Sequence, residues 1–354
     1  MKCFHAMDNV IKVADGYIFV SLYNNRIYKI FDENLHVKSI SQIPFSYENI
    51  YMEYSKVYEW NNKLFVLPWF SDSIAIYDIC DDSYRFIKLD GEFRGLRYLK
   101  AYQKQEYLYL IPCENKDIVI FNMQTEKIID RLPVKVRKEN EKKVIAWCEI
   151  CCDEDSLIIP QVYDNKLIKF SIADKRICYE ENKIKESDGF CGICDTHGGR
   201  WYVPRKADSI YFEKDGKIDK IFNFPEGYIP GEISFYKIVP DEHRVFLLPR
   251  DSNMFLVVYE NGSIFNLMNT NSNMQNDMER YMYFSNVWKM WGKWFCIEAG
   301  SGNLYEISND NRLIQNAFLD EENYKCEIDT NKLLFENPYI EHTLENYIAA
   351  IIGE

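Results

Sequence analysis

The sequence predicts an all-β protein: a seven-bladed β-propeller of four-stranded antiparallel blades, followed by a short C-terminal α-helix. Three observations predict it: an internal motif that recurs seven times, four strand-sized runs within each period, and no amphipathic helix inside the repeat. The motif is an apolar strand ending in Pro, a polar loop of five residues, then a second strand, as in Leu64 to Asp78 and again in Leu108 to Phe121. It returns at Pro160, Pro204 and Pro249, with Ser21 and Glu298 standing in the Pro position of two degenerate copies. The anchors Ser21, Pro68, Pro112, Pro160, Pro204, Pro249 and Glu298 are spaced by 47, 44, 48, 44, 45 and 49 residues, a mean of 277/6 or about 46.

Within the second copy the four strands read roughly Tyr54 to Trp60, Lys63 to Leu67, Ile74 to Asp78 and Tyr84 to Leu89. Turn residues that tolerate positive φ separate the first strand from the second: Asp15-Gly16, Asn61-Asn62, His197-Gly198-Gly199 and Trp291-Gly292. Asp215-Gly216 and Asn261-Gly262 separate the third from the fourth. The propeller is expected over residues 1–330, with a helical tail over 331–354. In that tail Asn337 caps a helix begun by Pro338, and Ile340, Leu344, Tyr347, Ile348 and Ile351 recur at helical spacing. The helix either docks on its own propeller or makes an oligomer contact.

Composition agrees with a large packed core. The 354 residues are 47% hydrophobic and carry 22 Phe, 26 Tyr and 7 Trp, which excludes disorder, while 15 Gly and 11 Pro exclude a fibrous chain. A net charge of −13 argues against a basic nucleic-acid binder and against electrostatic adhesion to an anionic membrane. The first residues show no signal peptide, and no apolar run approaches the ~18 residues of a membrane span. With 11 cysteines, an odd number spread through apolar strands, the expected location is cytoplasmic and no disulfide framework is expected.

The Pro/Asn/Asp/Ile blade pattern resembles the broad group of seven-bladed propellers that includes NHL-like, YVTN-like and streptogramin-lyase-like proteins, over about residues 8–320. Signatures of WD40, kelch and sialidase repeats are missing, the single Gly-Gly-x-Trp-Tyr at Gly198 to Tyr202 aside. The resemblance implies a fold and no particular activity.

Propeller geometry places the first strand of each blade along the central channel. The second-to-third loops and the links between blades then share one face, and the short turns share the other. The long segments, Pro44 to Glu53, Gly91 to Arg97, Pro133 to Lys143, Pro225 to Glu232 and Asn269 to Arg280, all fall on the first, the loop face, where binding is expected. Lys56, Lys100 and Lys237 occupy one repeat position, twelve before the anchor, and Arg205 and Arg250 directly follow their Pro. Arg94 and Arg97 lie on a link of the same face. Tyr54, Tyr98, Phe190, Phe235 and Phe284, fourteen before the anchor, together with Trp69 and Trp147, interleave with them.

Such a mixture suits an anionic or sugar-like ligand, with cations meeting carboxylate or phosphate and rings stacking on apolar faces. The rival reading packs the rings between blades and pairs the cations with Glu53, Glu149 and Glu232. The candidate ligand-binding set is Tyr54, Lys56, Trp69, Arg97, Lys100, Trp147, Arg205, Lys237, Arg250 and Glu298.

Four positions after the anchor stand Asn25, Asp72, Asp164, Asp208 and Asn253, which read as caps of their own turns rather than a ring of metal ligands. Cys148, Cys151 and Cys152, with Cys191 and Cys194, lie on neighbouring channel strands; residues i and i+3 of a strand point to opposite faces, so small buried side chains are expected and no metal. His197 and His243 fall in turns of the opposite face and His36 begins a peripheral strand, which argues against His-based acid/base chemistry on the loop face.

Two functions remain. One is a non-catalytic propeller without cofactor, recognising a small anionic or carbohydrate-containing ligand or a protein partner, with neither nucleic acid nor membrane. The other is a carboxylate-dependent hydrolase or lyase acting on a glycan or peptide at the channel mouth, through Glu298 with Glu149 or Glu232.

Overall fold

The protein's structure is a computed structural model that describes residues 7–22, 24–44, 53–69, 71–89, 98–112, 117–134, 149–153, 155–270, 284–298, 303–317 and 319–320. The expected C-terminal helix and the boundary at residue 330 lie outside these residues. Among the described residues seven four-stranded antiparallel sheets follow one another along the chain, the first extended by a fifth, parallel strand, so the fold is the seven-bladed propeller expected from the repeat. Blade 2 is representative: Tyr54–Trp60, Lys63–Pro68, Ser73–Asp78 and Ser83–Lys88 pair in that order. The first strands of successive blades (Val10–Val13, Tyr54–Trp60, Tyr98–Lys104, Cys151–Asp153, Phe190–Thr196, Phe235–Asp241 and Phe284–Met290) line the centre.

Every blade is covered on both faces by its neighbours, which is why its middle strands are continuous apolar runs rather than alternating ones. Leu64 to Pro68 and Ser73 to Tyr77 are buried without interruption, whereas the outermost strand Lys217–Ile221 is mostly exposed. Seven apolar clusters fill the interfaces, one between each pair of adjacent blades. The rings fourteen before the anchor belong to this filling: Tyr54, Tyr98, Phe190, Phe235 and Phe284 are all buried.

The ring closes at the outer edge of blade 1. Leu319–Asp320 returns from blade 7 and adds a fifth strand, parallel, to the outer strand His36–Gln42 of blade 1, pairing Leu319 with His36 and Asp320 with Val37. Inside that edge, Tyr17, Phe19 and Ile30 of blade 1 pack against Trp288, Phe295 and Ile297 of blade 7. Trp291, at a positive φ of 46°, sets its ring edge-on to Tyr17 at 4.7 Å and donates its backbone N–H to the Tyr17 hydroxyl. Among the described residues no helix is long and apolar enough to cross a membrane.

Candidate functional site

A β-bulge recurs where the first strand enters from the loop face. In blade 2 Tyr54 pairs with Pro68 but Lys56 pairs with Leu67, leaving Ser55 unopposed, and the same shift falls at Leu99, Cys191, Tyr236 and Ser285 in blades 3, 5, 6 and 7. A bulge interrupts the ladder and re-aims the following side chain. It also explains the terminal Pro of the motif, which has no N–H to give and sits where the ladder is already broken. The residue after the bulge is the repeat position of Lys56, Lys100 and Lys237, so lysines from three blades come to one level of the channel.

Two of them, Lys56 and Lys237, converge on Asp8, which leads into the first strand of blade 1. Lys237 Nζ donates to Asp8 Oδ1 at 2.7 Å and to its backbone carbonyl at 2.9 Å, while Lys56 Nζ donates to Oδ2. Asn286 of blade 7 donates its side-chain N–H to the same carbonyl. Asn9 then binds the backbone of Val57 in both directions, at 2.8 and 2.9 Å. Side chains of blades 2, 6 and 7 thus meet one residue of blade 1 across the channel. Beside them Lys100 Nζ donates to Glu149 Oε2 at 2.8 Å.

Burial shapes the electrostatics of this group. All three lysines are at most 8% exposed. Desolvation, only partly offset by Asp8 and reinforced by Lys56 and Lys100, pushes the Lys237 ammonium down to about 8. Desolvation likewise lowers Lys56, against the pull of Asp8. Burial by itself would raise the Asp8 carboxyl, but Lys237 and Lys56 together hold it well below the usual carboxylate range. Among the described residues three buried cations face two carboxylates.

Arg205 and Arg250 form a second, separate cluster at the loop-face ends of blades 5 and 6. The Arg205 fork reaches Glu232 Oε1 at 2.6 Å and Asp188, from the links on either side of blade 5, and its guanidinium lies 5.0 Å from the Tyr163 ring centroid. Arg250 Nε lies 3.7 Å from Asp251. Both arginine side chains are buried.

The remaining candidates are placed as follows. Tyr54 is fully buried and its hydroxyl accepts from Ser71 at 3.1 Å; Trp69 is buried at the loop-face end of blade 2. Glu298 accepts from Asn303 at 2.8 Å at the rim of blade 7. Arg94, Arg97 and Trp147 lie outside the described residues, as does Cys148. Of the long loop-face segments, 225–232 is described throughout.

Two of the acids expected as partners, Glu149 and Glu232, do take Lys100 and Arg205, whereas Glu53 accepts from Asn25 at 3.1 Å. The Asn/Asp positions after the anchor divide. Asp164 caps its own turn through the Lys166 N–H, but Asn253 reaches back to the preceding link at Gly227 and Ile229. Cys151 donates its thiol to Asp195 at 2.7 Å, and burial followed by that hydrogen bond pushes the thiol well above its ordinary value.

Sequence reasoning did not find Asp8, Asn286 or Tyr163. A signal existed for the first two: Asp8 stands at the bulge position of blade 1, and Asn286 shares the repeat position of the three lysines.

No protein-family model matches the chain, and no curated protein matches it in sequence. Solved structures resemble it in fold. Virginiamycin B lyase from Staphylococcus aureus aligns with a TM-score of 0.60 at 10% identity, covering 84% of this chain and 94% of that one. Its catalytically inactive His-to-Ala variant with quinupristin aligns at 0.52 and 12% identity, over 74% and 83%. PorZ, a bacterial surface component of the type-IX secretion system of Porphyromonas gingivalis, aligns at 0.57 and 9% identity, over 90% of this chain and 38% of its own. At these identities the likeness is one of fold, and in fold the chain is a seven-bladed β-propeller similar to the streptogramin B lyases.

Proposed function

We propose that this propeller is a non-catalytic binding protein that takes an anionic group at the loop-face mouth of its channel. One observation carries the reading: lysines from three blades, at one repeat position, lie buried at one level of the channel, two of them on a single carboxylate and the third on Glu149. Cations held this close repel one another, and Lys56 and Lys100 already push Lys237 down. An entering anion relieves that repulsion, and the low-dielectric surroundings strengthen its attraction.

The catalytic alternative has less support. Asp8 is held ionised by two lysines and so has no proton to give as a general acid at ordinary pH. The Staphylococcus aureus lyase is inactive without one of its histidines, whereas the described histidines here, His36, His197 and His243, stand at the turns opposite the loop face.

Isothermal titration with inorganic phosphate, succinate and a sugar phosphate tests the reading. Binding of at least one is expected, weakened about tenfold or more by Lys100→Ala, since a hydrogen bond to a charged group contributes about 1.5–3 kcal/mol. It is also expected to weaken as pH rises through the Lys237 value of about 8, where the ammonium gives up its proton. Absence of binding by all three probes, or binding indifferent to Lys100→Ala, refutes it.

A further inference from the structure

We infer that Asp8 is an intramolecular stand-in for a ligand: its carboxylate occupies the seat that an external carboxylate or phosphate takes on Lys56 and Lys237. The inference rests on the binding function proposed above and names the group that competes for that site.

The grip on Asp8 is that of an anion site. Each carboxylate oxygen has its own lysine, Lys237 on Oδ1 and Lys56 on Oδ2, and the two lysines come from blades separated by two others in the ring. Ammonium groups acting as separate point charges on separate oxygens suit phosphate or carboxylate equally.

The backbone around Asp8 has anchors that do not involve its carboxylate. The Asp8 carbonyl accepts from Lys237 and Asn286, Asn9 is pinned to Val57, and the Met7 N–H donates to Ser285 Oγ at 3.4 Å. Asp8 itself precedes the paired stretch Val10–Val13, so its side chain belongs to no ladder position. A carboxylate arranged in this way can leave its seat, or be removed, while the segment that carries it stays anchored.

Repulsion favours the exchange: Lys56 and Lys237 bring two ammonium groups onto one carboxylate, and an anion of higher charge such as phosphate offsets more of their mutual repulsion. The Asp8 side chain keeps 13% of its surface exposed. A purely structural salt bridge predicts something different: loss of stability on removal of the carboxylate, with no gain in anion affinity.

The full chain is tested by calorimetry and thermal melting with inorganic phosphate and, separately, acetate. Asp8→Ala is expected to bind phosphate about tenfold or more tighter than the wild type. Phosphate is expected to raise its Tm more than that of the wild type, and the gain is expected to vanish in Asp8→Ala/Lys237→Ala. Equal affinity in Asp8→Ala and wild type overturns the inference, as does a gain that survives Lys237→Ala, because the anion then sits elsewhere. If Asp8→Ala does not fold, Asp8→Asn removes the charge and keeps the shape; a phosphate-induced Tm rise larger than the wild type's supports the inference, and an equal one overturns it. Wild type that ignores phosphate, succinate and the sugar phosphate alike while Asp8→Ala binds phosphate defeats the functional reading but leaves Asp8 as the occupant. Wild type that binds while Asp8→Ala gains nothing does the reverse.

Discussion

Lys237 lies in the channel against two forces, desolvation and the neighbouring charges of Lys56 and Lys100, and Asp8 only partly offsets them. Its folded value of about 8 is below the 10.5 of a solvated lysine, so between those pH values the unfolded chain holds a proton that the folded chain has released. Stability therefore rises with pH across that window, because the unfolded state binds more protons. Urea unfolding from pH 7 to 10.5 is expected to give a wild-type midpoint that climbs relative to Lys237→Met; parallel curves for the two proteins reject the assignment. Asp8 has the opposite sign. Its lowered carboxyl contributes stability that is fully present above the unfolded value near 3.8 and is lost only as pH falls through the still lower folded value.

At the scale of the strand, one device serves two purposes. The bulge beside the motif's Pro turns the next residue toward the channel, and it removes the ladder position that Pro could not fill. The opposite ends of the blades depend on hairpin turns, where Asn61 and Asn62 both take left-handed φ, 51° and 62°. That is the type I′ geometry whose twist matches antiparallel strands. A β-branched residue there is strained, so Asn62→Val is expected to lose about 1–2 kcal/mol in chemical denaturation while Asn62→Gly does not. Equal stability of the two variants contradicts the turn assignment.

For the whole molecule the vulnerable place is the seam between blades 7 and 1, where the chain must meet itself and the shared sheet is only the two-residue pairing Leu319–Asp320. Three layers hold it: the Asp8 contacts at the centre, the apolar cluster around Phe19 and Phe295 in the middle, and the parallel Leu319–Asp320 pairing at the rim. Removing the buried ring of Phe295 leaves a cavity in the middle layer, and Phe295→Ala is expected to cost about 3–5 kcal/mol. Amide exchange is expected to accelerate first in blades 1 and 7; a variant in which all blades exchange faster alike shows that the seam is no weaker than the other interfaces.

The repeat period, the four strands of each blade and the aromatic filling were legible in the sequence, because each depends on local pattern: strand-sized apolar runs, turn residues and recurrence of the Pro motif at about 46 residues. Periodicity also marked Lys56, Lys100 and Lys237 as equivalent, and of the acids Glu53, Glu149 and Glu232 named in the rival reading, Glu149 and Glu232 take Lys100 and Arg205. What it could not supply was who meets whom across the ring. Asp8 and Lys237 are 229 residues apart and share no blade, and only closure of the propeller brings the start of the chain against blades 2, 6 and 7. The one-residue bulge was hidden for a related reason: it is a property of the register between two strands, and neither strand's own sequence records it. The sequence by itself therefore determined the blades and the ring of basic positions. Tertiary structure decided that the lysines face a carboxylate of the same chain, because such pairing depends on distance through the channel and not on distance along the chain.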